Sequence, residues 1–178
     1  MHATPERSVF HPSRRLYRFT VLFFASLLTF GGYFAYDSIG AMETMLMADL
    51  GIGRDTIGSM YTIYSVAAIL SVFLGGILID RIGTRRASLL FSLIATSGAV
   101  WVALSRDVWS LHVGRFVFGW GAESLIVAQN AILARWFKGR ELGFAFGFGL
   151  MISRLGTLLS FNTEAMLAER FGVMPALW

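Results

Sequence analysis

Between Asp55 and Asp80 the chain runs for 24 residues without a charged side chain, and between Arg86 and Arg106 it runs for another 19. At about 1.5 Å of rise per residue, either run is long enough as a helix to cross a hydrocarbon layer roughly 30 Å thick. The composition points the same way: 56% of residues are hydrophobic, 15% are charged and the mean hydropathy is +0.64, far from a soluble domain and suited to a lipid bilayer. The net charge of +4 would suit a nucleic-acid partner, but the basic residues fall in short loops between apolar runs rather than on one face. The charge therefore reports topology, and no nucleic acid is expected. With no cysteine, the chain has no disulfide framework, thiolate metal site or cysteine nucleophile.

Residues 1–18 are polar and basic and end with Arg14, Arg15 and Arg18 directly before an apolar run. They predict a cytoplasmic tail, followed by a transmembrane bundle over 19–178. The first apolar run, Phe19 to Tyr36, is longer than a usual signal core and no small-residue cleavage site closes it, which argues against a cleaved signal peptide. Helices are expected at about 19–36, 57–79, 87–105, 109–134 and 142–161, with a sixth starting at Gly172–Trp178. The acidic, glycine-containing stretch Asp37–Asp55 reads as an outward helix extension and loop. Ten basic residues lie on the tail's side (Arg7, Arg14, Arg15, Arg18, Arg81, Arg85, Arg86, Arg135, Lys138 and Arg140), against Arg54, Arg106 and Arg170 opposite. The basic-rich side is cytoplasmic, so the N-terminus is expected inside the cell.

The turn between the second and third helices carries Gly76, Leu78, Asp80, Arg81, Gly83 and Arg85 at the spacing G-x-L-x-D-R-x-G-x-R. It resembles the signature loop of the major facilitator superfamily, although Thr84 and Ser88 depart from the usual basic and aliphatic positions. An ordinary positive-inside loop is the alternative. The resemblance implies an all-α membrane protein with the major facilitator fold, in which this chain is the N-terminal six-helix bundle, truncated in helix six, and a C-terminal six-helix half is its partner. It implies further that Asp80 faces a helix N-terminus of that other half, that Gly76 lets two helices approach closely, and that the arginines bridge to carboxylates.

Three charges lie inside the apolar runs. An ionisable side chain at mid-depth costs roughly 2.5–3.5 kcal/mol on insertion scales, so it faces a cavity or a partner. Arg115 is seven residues into the fourth helix from its outer end, a depth from which it would partly snorkel outward. Glu123 and Arg154 lie 11 and 12 residues from the cytoplasmic ends of their helices, about 16–18 Å in each case. Opposite charges thus share one level. Asn130, seven positions after Glu123, lies on nearly the same helical face, and Gly119 and Gly121 leave room beside the carboxylate. Two readings follow. Glu123 and Arg154 form a structural salt bridge, or they form a split receptor for a zwitterion whose ammonium and carboxylate are roughly 7 Å apart, as across two extended residues.

At these residues a narrower resemblance enters. Gly31–Asp37, Gly114–Gly119, Glu123–Asn130, Trp136–Leu142 and Ser153–Gly156 are similar to the branch of lysosomal dipeptide uniporters of animals and their bacterial relatives. The resemblance implies that Glu123 holds a peptide's amino end and Arg154 its carboxylate. It implies a glycoprotein partner and a dileucine sorting signal for the animal proteins, but no Leu-Leu pair occurs in residues 1–18, so the cell (inner) membrane is expected here instead. Arg115 stands where some family members have a proton-coupling arginine; a structural role is the alternative. Asp37, with Tyr33 and Tyr36, would line the outer cavity or form an interfacial belt. His112 is expected at the interface. Gly119–Ser124 is not a dinucleotide loop, since no strand precedes it.

The function expected is secondary transport of small organic solutes, short peptides above all, by alternating access. A proton-coupled carrier of another organic anion or amino acid is the alternative within the fold, although no E-x-x-E-R motif stands in the first helix. A membrane receptor or intramembrane enzyme is the alternative from another class. An enzyme would need a nucleophile and base, or a metal cluster, at one depth. The histidines, at positions 2, 11 and 112, do not form one, so no catalytic residue, metal or cofactor is expected.

Overall fold

The computed structural model describes residues 15–171. These form α1 (Arg15–Ala41), α2 (Glu43–Leu50), α3 (Arg54–Ile82), α4 (Thr84–Leu104), α5 (Val108–Phe137) and α6 (Leu142–Phe171). Five of the six are long and apolar enough to span a membrane; α2 is the exception. In hydrocarbon a helix closes its backbone hydrogen bonds within itself, so the apolar runs have no other stable form. Their outward faces carry large apolar side chains such as Ile69, Phe73 and Leu89, each about two-thirds exposed or more. Those faces meet lipid.

Where the helices end, local chemistry explains it. Gly51 closes α2 in the left-handed conformation (φ 64°), with its N–H donating to Met47 O. Gly83 (φ 81°) separates α3 from α4 while its N–H donates to Ile79 O at 2.9 Å. Asp107 caps α5 by accepting from the Ser110 N–H at 2.9 Å.

Helix boundaries differ from expectation: α3 and α4 close the expected 80–86 loop to the single residue Gly83, and α5 runs to Phe137 rather than about 134. Arg15–Arg18, placed in the tail, form the first turn of α1, and α1 continues through Asp37 and Ser38 to Ala41. The fifth spanning helix runs to Phe171 rather than about 161. The polar run Asn162-Thr163-Glu164 does not end it: Asn162 Nδ2 donates to Leu158 O at 2.7 Å and Thr163 Oγ1 to Leu159 O at 2.6 Å. The first two side chains are satisfied by their own helix, while Glu164 is 1% exposed and its Oε2 has no hydrogen-bond partner among the described residues. The 37–55 loop contains the helix α2. The remainder of the expected tail, residues 1–14, and the expected start of a sixth helix at 172–178 lie outside the described residues.

Helix α5 is the centre of the bundle, packing along α3 and α4 and meeting α1, while α6 packs along α1. Small residues make the closest seams. A Cβ added at Gly121 would lie 2.7 Å from Ala95 Cα, and one at Gly98 would collide with the Phe118 backbone, so α4 and α5 touch backbone to backbone. Gly75 is the close-packing glycine of the signature stretch, since its Cβ would lie 2.8 Å from Ser124 Oγ on α5. Among the described residues no atom lies within 4 Å of the space a Gly76 Cβ would fill, so the close approach expected of Gly76 is not made within this bundle. Residue 75 faces α5 and residue 76, about 100° further round the helix, does not.

At one end of the bundle Arg18 Nη2 donates to Glu141 Oε2 at 2.6 Å, joining the start of α1 to the α5–α6 loop. At the other end Arg54 Nε donates to Glu43 Oε1 at 3.1 Å, joining α3 to α2.

Candidate functional site

Helices α1, α3, α5 and α6 line a cavity of about 250 Å³ with Glu123 and Arg154 in its wall, together with Thr29, Tyr33, Tyr36 and Tyr64. Small residues make room for it. Gly32 of α1 faces Ala122 of α5, where an added Cβ would lie 3.9 Å from Ala122 Cβ, and both line the cavity. The equal depth worked out from the sequence is therefore met by two side chains that open on one space.

They do not neutralise each other. Among the described residues the ion pairs within 4.0 Å are Arg18–Glu141 and Arg54–Glu43, and neither involves the cavity. Glu123 Oε1 instead accepts the Tyr64 hydroxyl at 2.6 Å. The Arg154 guanidinium lies over the Tyr33 ring, 5.0 Å from its centroid, and the residue is exposed toward the open side of the bundle. One turn of α6 is pinned beside it: the hydroxyls of Thr29 and Ser153 lie 2.7 Å apart in the buried α1–α6 seam, which fixes where residue 154 leaves the helix.

Arg115 is not where snorkelling would take it. It is 1% exposed, with the faces of Tyr36, Tyr61, Tyr64 and Phe118 at 5.3–5.5 Å from its guanidinium carbon. Rings from α1, α3 and α5 supply the attraction that water would otherwise provide. Its Nε and Nη2 have no hydrogen-bond partner among the described residues. Arg115 does not line the cavity; Tyr36 and Tyr64 stand between.

Of the other residues expected at a binding site, Tyr36 lines the cavity, and its ring packs 4.6 Å from that of Tyr64. Asp37 and Asn130 do not. Asp37 turns its Oδ2 into the protein, where the atom is buried. Asn130 is exposed on the Glu123 face of α5 but lies about one turn beyond Ile126, where the cavity wall ends. The expected room beside Glu123 from Gly119 and Gly121 is also filled, because Gly119 packs against Tyr64 and Gly121 against Ala95. His112 is half-buried and bonded to Ser59 at 2.6 Å. Asp80, Arg81 and Arg85 are exposed around the Gly83 turn, with no hydrogen bond or ion pair to other described residues.

Sequence reasoning missed Tyr64. A signal was present: tyrosine favours the membrane interface, where its hydroxyl is wet, and one well inside a 24-residue uncharged run needs a partner for that hydroxyl.

A model of the Major Facilitator Superfamily matches residues 22–178. The chain is similar to the lysosomal dipeptide transporter MFSD1 of Danio rerio, with 40% identity over 155 residues, covering 85% of this chain and 34% of that protein. The Mus musculus protein of the same name is 39% identical over 170 residues, covering 93% of this chain and 36% of its own length. The Homo sapiens protein is 39% identical over 163 residues, covering 89% of this chain and 35% of its own. The chain thus spans about a third of the length of these relatives. A family match that begins inside α1 and continues through every later helix, over a bundle of apolar spans, places this chain as a member of the major facilitator superfamily.

Proposed function

We propose that this chain is the N-terminal part of a secondary transporter that moves short peptides across a membrane by alternating access, with Glu123 receiving the substrate's ammonium and Arg154 its carboxylate. The observation that carries the reading is that these two residues line one cavity of about 250 Å³ without pairing with each other. Two opposite charges held apart in one cavity match a zwitterion, and a guanidinium offers a carboxylate two parallel donors. That relatives at about 40% identity are named as dipeptide transporters supports the substrate class. Tyr36 borders the substrate. Transport, with no catalytic step, is the function; the substrate is released unchanged.

In this reading a C-terminal half completes the cavity, and the Asp80–Arg85 loop engages that half in one access state. The N-terminus and the loops at 80–86 and 135–141 face the cytoplasm, because the basic residues concentrate there. A cell membrane is the compartment proposed, whereas the relatives are named as lysosomal. Asp37 and Asn130 are left to secondary roles, at the outer and inner approaches, and Arg115 holds the aromatic wall behind the cavity.

The test is competition for uptake into proteoliposomes holding the full-length protein. A free dipeptide should compete at least tenfold better than the same peptide acetylated at its amino end or amidated at its carboxyl end. Equal competition by all three forms would remove the zwitterion from the account.

A further inference from the structure

Glu123 and Arg115 are eight residues apart on α5, yet one lines the cavity and the other is sealed from it. Tyr64 of α3 connects them. Its hydroxyl donates to Glu123 Oε1 at 2.6 Å, and the Arg115 guanidinium lies over its ring at 5.3 Å. The tyrosine has little freedom to do otherwise. It is 8% exposed, its ring packs on Tyr36 at 4.6 Å and on Phe118 at 5.8 Å, and Gly119 admits it so closely that an added Cβ would lie 2.9 Å from Tyr64 Cδ2.

We propose that Tyr64 is a positioning residue for the amino end of the substrate: it holds the Glu123 carboxylate in one orientation, with Oε1 occupied and Oε2 left for an ammonium, and carries the influence of Arg115 to it. A carboxylate in a low-dielectric cavity is costly unless donors satisfy it, and a hydrogen bond to an ionised group is stronger than one between neutral groups. The cation behind the ring draws electron density from the phenol and makes its O–H a better donor. Arg115 thereby acts on a substrate it does not touch. The inference rests on the reading of Glu123 as the ammonium receptor.

Tyr64→Phe keeps the ring, the Arg115 contact and the Gly119 packing and removes only the hydroxyl. In the full-length protein in proteoliposomes, we expect the inhibition constants of a free dipeptide and of its carboxyl-amidated form to rise about tenfold, or about 1.4 kcal/mol. That of the amino-acetylated form should stay within twofold, and so should the maximal uptake rate. A merely structural role would move all three constants together, and that result would overturn the inference, as would no change in any. Glu123→Gln is measured alongside. If it weakens the free and amidated peptides selectively while Tyr64→Phe does not, the inference fails and the receptor reading stands. If Glu123→Gln also has no selective effect, both fail.

Discussion

A buried arginine needs something to answer its charge, and the two buried among the described residues are answered differently. Arg18 is 2% exposed; it has the Glu141 carboxylate at 2.6 Å and the Phe137 ring at 5.2 Å. Arg115 has four rings and, among the described residues, no ion pair. Glu141→Gln should therefore leave the buried Arg18 short of a partner and cost about 1–3 kcal/mol, the range for an unsatisfied buried polar group. Arg18→Met together with Glu141→Gln should recover most of that loss, since the buried charge is gone and the remaining amide sits at a half-exposed position that water reaches. Thermal unfolding of the purified full-length protein in detergent reads both, and a double variant less stable than Glu141→Gln alone would contradict the assignment. At this scale the sequence was informative where arithmetic along one helix suffices. The shared depth of Glu123 and Arg154 follows from rise per residue alone, and they do share a cavity. The surroundings of Arg115 were not legible, because its rings come from three helices and no spacing within one of them brings them together.

Among the elements, the α4–α5 seam depends most on the absence of side chains. Gly98, Gly114 and Gly121 let the two backbones touch, and a Cβ at Gly121 would lie 2.8 Å from Phe91 O, an atom that cannot swing aside. Gly121→Val should destabilise the bundle by about 1–3 kcal/mol through overpacking, whereas Gly76→Val, which meets nothing among the described residues, should cost little by the same melting assay. Similar costs would mean that the seam is not where the structure has it. The existence of the helices was legible from uncharged run length; their ends were less so. Asn162 and Thr163 are polar residues past 161, yet they bond back to their own helix and it continues. Helix pairing also decides which loops share a side. With no native cysteine in this chain, single cysteines at Thr84 and Gly139 can be labelled from one side at a time. Both should react from the cytoplasmic side; reaction from opposite sides would break the topology.

For the whole molecule, the exposed Asp80–Arg85 loop and the cavity ask different things of the protein. If the loop engages the other half in one access state only, Asp80→Asn should leave substrate affinity within a few-fold while slowing transport, because it changes the balance between states rather than the binding contacts. Weaker affinity with unchanged turnover would contradict that division. The central claim, that Glu123 and Arg154 are a split receptor and not a salt bridge, is tested most directly by uptake of an unmodified dipeptide into proteoliposomes with the full-length Glu123→Gln, Arg154→Gln and double variants. The cavity geometry predicts that each single variant folds but loses at least tenfold in uptake efficiency, and that the double variant is no better than either. A double variant that transports the unmodified dipeptide at near wild-type rate would show that the two charges matter only to each other, and the receptor account would be wrong.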